Sequence, residues 1–368
     1  MTAENNDTNA SSRIAQILQR IWRAASVPVL SVILALLIGA ILLWISGANP
    51  LVAYAALFNG ALGSPEAIGR TLEKSTPLIF GGLAVAFAFK AGLFNIGGQG
   101  QLLIGAIVAA YVGFAVEGLP FIIHMPLALL AGSLAGALWA GIAGALKAYT
   151  GAHEVITTIM LNFIAINITD YLANGPWKDE GIVARTPAVL ETALIPKWGP
   201  YPIGFLLAVL MAILTWYLLY RTTMGYAIRT TGLNPNAALY AGIKVSSVIV
   251  LVMVFSGFLA GMGGAVETLG VVGRYQPGFN VGLGFDGITI ALLAKTNPLG
   301  VIPAALLIGA MDAGASQMQF NAGVRFEIID IIQGLILFFV SADVIIRKVL
   351  GASAVDEDKV QLSSGWGS

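Results

Sequence analysis

The chain has 368 residues, 57% hydrophobic and only 10% charged, with a mean hydropathy of +0.85. A soluble globular domain carries about 25% charged residues, so this composition excludes one and indicates an all-α polytopic membrane protein. Formal net charge is +0 and cysteine is absent, which removes the basic footprint of a nucleic-acid binder, any disulfide and any thiolate metal site.

Residues 1–26 form a polar N-terminal segment on the inner side. Within it Ile14, Ile17, Leu18 and Ile21 fall at helical spacing, while Arg13, Gln16, Arg20 and Arg23 take the other positions. The pattern fits a short helix on the inner membrane surface or an extension of the first span. Residues 27–46 are that span; about 19 apolar residues is long for the core of a cleaved signal peptide. An outer loop, 47–73, leads to a second span over 75–91, where Pro77 predicts a kink.

Gly92–Gly105 follows, and the chain turns on it: GLFNIGGQGQLLIG. Glycines remove side chains where backbone packs closely or leaves a helix. Asn95, Gln99 and Gln101 add uncharged hydrogen-bonding groups at or near membrane depth. Polar backbone there needs protein or a water-filled cavity to satisfy it, so the stretch is expected to be a broken or re-entrant segment lining a pathway. A tight helix–helix contact is the alternative. A nucleotide-binding loop is not, because the third glycine is out of register for G-x-G-x-x-G.

The third span, 101–116, and the fourth, 121–146, flank a turn with Glu117 and Pro120. The fifth, 155–173, carries Asn162, Asn167 and Asp170, which are costly against lipid and so face protein or a cavity. The loop 175–202 is rich in proline, with Trp177 and Trp198 near its ends at the level of an aromatic belt. The sixth span is 203–220, the seventh 245–270, the eighth a short 287–295, the ninth 299–317 and the tenth 328–346. The tail, 351–368, is acidic. With both ends inside, Lys and Arg divide 12 inside against 7 outside, which favours that topology.

Between spans six and seven, 221–244 is the one long inner loop. Asn234 can cap a helix that has Pro235 at its first position. Ala237–Ala241 is good helix former, and Gly242 can end it. The loop is expected to hold a two-turn surface helix that a soluble partner could grip. Phe94-Asn95-Ile96-Gly97 recurs as Phe279-Asn280-Val281-Gly282. In this topology the first copy follows an inward span and the second an outward one, the arrangement of an inverted repeat. His124 and His153 lie far apart, and no acid pair or nucleophile–base spacing argues for hydrolytic chemistry. No G-x-x-x-x-G-K-[ST] loop exists, so ATP hydrolysis, if used, belongs to another subunit.

The run 92–106 resembles the signature of permease subunits of ATP-binding-cassette (ABC) importers, in the branch associated with nucleosides and simple sugars, and the likeness extends to 225–270 and in layout over most of 27–350. The resemblance implies a type II, cobalamin-importer-like permease domain of about ten spans over 27–350. From their polarity at membrane depth and from the internal echo, Asn95, Gln99, Gln101, Asn162, Asn167 and Asn280 are expected to line the substrate pathway. The resemblance implies a coupling loop for the ATPase that includes Gly225, Arg229, Gly232, Asn234, Ala238 and Gly242. The partners implied are ABC ATPase subunits, a second permease in a heterodimer, an extracytoplasmic binding protein and membrane lipid, in a bacterial inner membrane, with no cofactor or metal. The rival reading is an ion-driven secondary carrier, in which intramembrane carboxylates such as Glu267, Asp286, Asp312, Asp330 and Asp343 would be the coupling sites.

Overall fold

A computed structural model describes residues 29–278, 282–325 and 327–341. The expected N-terminal interfacial helix, Asn280, Asp343 and the acidic tail lie outside the described residues. The elements are α1 (Val29–Ile45), α2 (Pro50–Leu62), α3 (Pro65–Lys90), α4 (Gly98–Ala115), α5 (Phe121–Thr150), α6 (Glu154–Asn174), α7 (Ile203–Arg221), α8 (Thr223–Leu233), α9 (Pro235–Tyr240), α10 (Val245–Glu267), α11 (Leu283–Leu293), α12 (Pro298–Ala322) and α13 (Glu327–Ser341). A π-helical turn, Thr268–Val272, extends α10. The β-structure described is one hairpin that pairs Lys197 with Pro202 and Trp198 with Tyr201.

Among the described residues, seven helices are long and apolar enough to cross a membrane: α3 to α7, α10 with its π turn, and α12. The protein is therefore a mostly helical, multi-pass membrane protein. Two sequence expectations need correction. The stretch 47–73 is not a loop: α2 occupies Pro50–Leu62, and α3 starts at Pro65, ten residues before the expected span. The Ser64 hydroxyl accepts from the Ala67 N–H at 3.1 Å, and Pro65 sits where no N–H is needed. Charged residues at 66, 70, 73 and 74 concealed this first part of the helix from hydropathy. The loop 221–244 holds two helices rather than one, because the Thr222 hydroxyl caps α8 by accepting from the Gly225 N–H at 3.0 Å.

The chain divides into two compact units. The smaller, within 1–53 and 319–359, contains α1 and α13. On α1 the buried positions Ser31, Ala35, Gly39 and Leu43 recur every fourth residue, and Ile33, Leu37, Ile41 and Trp44 are exposed. On α13 Ile329, Ile332, Ile336 and Val340 form one buried stripe. Both are one-sided helices.

The larger unit contains α3 to α11 and most of α12. Its centre is α3, buried continuously from Ser75 to Ala88, together with α4 and α10. Helices in lipid gain nothing from hiding apolar surface, so close backbone approach holds them together. Gly105 of α4 faces Gly261 of α10 so closely that an added Cβ would collide with the Gly261 backbone. Helix α5 packs along both α10 and α4, α11 packs on α3, and α6 leans on α4 and α5. At 11 residues, α11 spans about 17 Å, roughly half a membrane crossing.

Candidate functional site

The helix leaving α3 breaks at Lys90, and α4 begins at Gly98. Residues 91–97 between them are irregular, with Gly92 at φ +72°. A hydrogen-bonded cluster holds this break. The Asn95 amide donates to Gln101 Oε1 at 2.9 Å and to Ser256 Oγ at 2.8 Å. The Gln101 amide donates back to Asn95 Oδ1 at 2.9 Å, and the Gly97 N–H donates to the same oxygen at 3.0 Å. Ser256 Oγ donates to the Ala84 carbonyl at 2.7 Å, so the cluster joins α3, the break, α4 and α10.

Asn162 on α6 secures the other side. Its amide donates to the Ile96 carbonyl at 2.9 Å, and its Oδ1 accepts from the Gly100 N–H at 2.8 Å. Gln99 Oε1 accepts from the Gly284 N–H at 2.9 Å, which ties the start of α4 to the start of α11. Gly284 lies against the Gln99 backbone with no room for a Cβ. Asn95, Gln99, Gln101 and Asn162 are 1–3% exposed. Their hydrogen-bonding groups are used on each other and on backbone, which is what buried polar groups in a membrane require.

Helix α6 has two unlike faces. Glu154, Thr158, Asn162, Ala165, Thr169 and Ala173 are buried at helical spacing. On the opposite side Ile156, Met160, Phe163, Ile164, Ile168 and Tyr171 are exposed, with Asn167 among them. Phe163, Ile164, Asn167, Ile168 and Tyr171 line a groove of about 360 Å³. The Asn167 amide donates to the Phe163 carbonyl at 2.7 Å, which leaves its Oδ1 and one N–H unspent.

Helices α8 and α9 form the third part. Gly232 of α8 lies against the break itself: an added Cβ would meet Ala91 Cα at 3.0 Å. Gly225 is equally close to the Leu218 and Leu219 carbonyls. Arg229 donates to the Gly225 carbonyl at 3.3 Å, and its guanidinium lies 5.2 Å from the centre of the Tyr220 ring. Asn234 Oδ1 accepts from the Ala237 N–H at 3.0 Å, Pro235 is the first residue of α9, and Gly242 takes φ +80° after it. Ala238 is 0% exposed, whereas Leu233, Leu239 and Tyr240 are 73%, 57% and 93% exposed.

On the long connection 175–202, backbone bonds lash the chain to the end of α10 and the segment after it. The Thr186 N–H donates to the Tyr275 carbonyl, Val189 to Gly273 and Ile195 to Leu269, at 2.8–2.9 Å. Asp179 lies 3.3 Å from Arg185 and 3.5 Å from Arg274. Lys197 pairs with Glu73, which pins the hairpin to α3. Burial pushes the Tyr275 phenol up to about 12, with a hydrogen bond from Thr169 of α6 opposing.

Residues 67–341 match the family described as branched-chain amino acid transport system / permease component. The guanosine ABC transporter permease protein NupP of Bacillus subtilis is 40% identical, over 88% of this chain and 95% of its own length. The chain belongs to this permease family. The nucleoside ABC transporter permease protein NupB of Lactococcus lactis is 34% identical to the permease, over 89% of this chain and 93% of its own. The glucose ABC transporter permease protein TsgB13 of Haloferax volcanii is also 34% identical, over 86% and 87%. Further permease proteins from the same three organisms are more distant: 28%, 27% and 26% identical over 66%, 65% and 67% of this chain.

In the permease, then, the polar residues singled out from sequence separate into two sets. Asn95, Gln99, Gln101 and Asn162 come together in one buried network, and Asn167 stands apart on the exposed side of α6. Gly225, Gly232 and Ala238 are inward-facing contacts of α8 and α9. Sequence reasoning missed Ser256, which bridges α10 to α3, and the exposed Leu239 and Tyr240. Helical phase makes the latter pair exposed once Ala238 is known to point inward, and the sequence carries no mark of that direction.

Proposed function

We propose that this chain is the larger of two permease subunits of an ABC importer that moves nucleosides, or related sugars, across a bacterial inner membrane. The observation that carries the reading is the 40% identity to a guanosine permease over 88% of the chain. ATP hydrolysis belongs to separate ATPase subunits, and an extracytoplasmic binding protein delivers the substrate. A heterodimer is favoured by the two tiers of relatives: permeases from the same three organisms match this chain either closely or distantly.

The transport domain covers 27–350, with ten spans, both ends inside, and cytoplasmic segments at 1–26 and 351–368. An inverted repeat of the type II kind is supported by crossed packing. Each half has a long helix, an irregular segment and a second helix: α3 to α4, and α10 to α11. The first helix of each half packs on the second helix of the other.

The coupling loop is 221–244. Its contact with the ATPase is made by Leu239 and Tyr240, and by Leu233 at the end of α8. The inward-facing Ala238, Gly232 and Arg229 carry motion into the protein. Motion of α8 reaches the 91–97 break directly, through Gly232 against Ala91 and Gly92. The buried amides then act as a scaffold that moves the ends of α4, α6, α10 and α11 as one body. The pathway itself lies along the exposed side of α6, where Asn167 faces it.

Membrane vesicles with and without the ATPase subunits test this. ATP-dependent uptake of tritiated guanosine that needs both permeases is expected. Uptake that persists without the ATPase and follows an ion gradient would replace the reading with a secondary carrier.

A further inference from the structure

We propose that Phe163, Asn167 and Tyr171 form a track on α6 that takes the flat base of a nucleoside; this rests on the reading of the chain as an importer's permease. The three residues stand at i, i+4 and i+8 on one side of the helix, all exposed. Successive members are about 6 Å apart along the axis. An amide turned to lipid has no partner, so a polar side chain on the outside of a span belongs against protein or a solvated passage. Asn167 uses one N–H on the Phe163 carbonyl and keeps Oδ1 and the second N–H.

Those two groups match the paired donor and acceptor on the edge of a nucleobase, the pairing by which asparagine amides read base edges. An aromatic ring lies one helical turn to either side. Bases stack on such rings whatever their identity. A base on Tyr171 and a base on Phe163 are each within a turn of the same amide, so the base can pass from ring to ring without losing its hydrogen bonds. Together with Ile164 and Ile168, 48% and 38% exposed, the three residues line one open groove along this face of the helix. A hexose has no π face to stack, so the track selects nucleosides over simple sugars.

The test uses the assembled complex in proteoliposomes with its ATPase, second permease and binding protein. Two readouts are tritiated guanosine uptake and photolabelling by 8-azidoguanosine, with co-purification of the second permease measured alongside. In the wild type the label is expected on the α6 peptide, displaced by guanosine and not by glucose. Phe163→Ala, Tyr171→Ala and Asn167→Leu should each lower uptake about tenfold, the worth of a base stack or a paired edge, with assembly retained. Tyr171→Phe, which keeps the ring, should restore most of the uptake lost in Tyr171→Ala. Unchanged uptake in the three variants, displacement of the label by glucose as readily as by guanosine, or loss of the second permease in place of uptake would each overturn the track. In the last case the face is a subunit contact. A wild-type complex that imports no nucleoside fails the underlying reading as well; normal import with indifferent variants fails the track alone.

Discussion

Two asparagines on α6, five residues apart, show how differently one side chain can be used in a membrane. Asn162 is packed inside, with both ends of its amide bonded to the backbone of the 91–100 stretch. Asn167 is exposed and bonds only to its own helix. The inward residue holds a break in the fold in shape. The outward one contributes little to the protomer, so its presence in a span points to something the protomer meets. A second pair repeats the contrast on α9: Ala238 is buried and Tyr240 is 93% exposed, two residues along the same short helix.

The largest effect should come from Asn162→Leu. It leaves the Gly100 N–H and the Ile96 carbonyl without their partner, at a cost of about 1–3 kcal/mol for each. A fall of several degrees in unfolding temperature in detergent, with poor recovery of the complex, is expected; a melt like the wild type would mean that water replaces the amide. Ala238→Asp comes next. A carboxylate there has no partner in a packed contact, so about 2–4 kcal/mol of stability should be lost, visible as proteolysis within 221–244 before any ATPase is added. Protection equal to wild type would show that α9 is loosely held.

Ser256→Ala removes one donor to the Ala84 carbonyl and one acceptor for Asn95. A loss of about 1–2 kcal/mol is expected, measured by chemical denaturation in mixed micelles, and Ser256→Thr should recover less than half because its added methyl must enter a site that is 0% exposed. Tyr240→Ala should change protomer stability by no more than about 0.5 kcal/mol while lowering retention of the ATPase about tenfold in a pull-down, as loss of an aromatic anchor does. Full retention would move the contact elsewhere on the loop. The smallest stability change belongs to Asn167→Leu, within about 0.5 kcal/mol of wild type. A large drop in its unfolding temperature would erase the contrast between the two faces.

Much of the fold was legible from hydropathy. All ten expected spans coincide with helices that begin or end within a few residues of the predicted bounds, because a run of apolar residues in lipid has no other way to satisfy its backbone. The start of α3 was not legible, since its first three turns carry Glu66, Arg70, Glu73 and Lys74 and look like a loop to a hydropathy scan. The capped α9 was readable from Asn234, Pro235 and Gly242, because capping is a local matter of three or four residues. The direction in which Ala238 points was not, since an alanine carries no polarity to mark its side.

By itself the sequence determined that this is a helical membrane protein, that the chain breaks between α3 and α4, and that a short capped helix follows α8. Those outcomes depend on composition, periodicity and neighbours within one turn. Only the tertiary structure decided which of the membrane asparagines and glutamines are scaffold and which stand outside it. Asn95 meets Ser256 across 161 residues, and Gln99 meets Gly284 across 185. Such bonds exist because helix crossings through glycine bring distant backbones close enough to bond, and no local pattern in the chain records that approach.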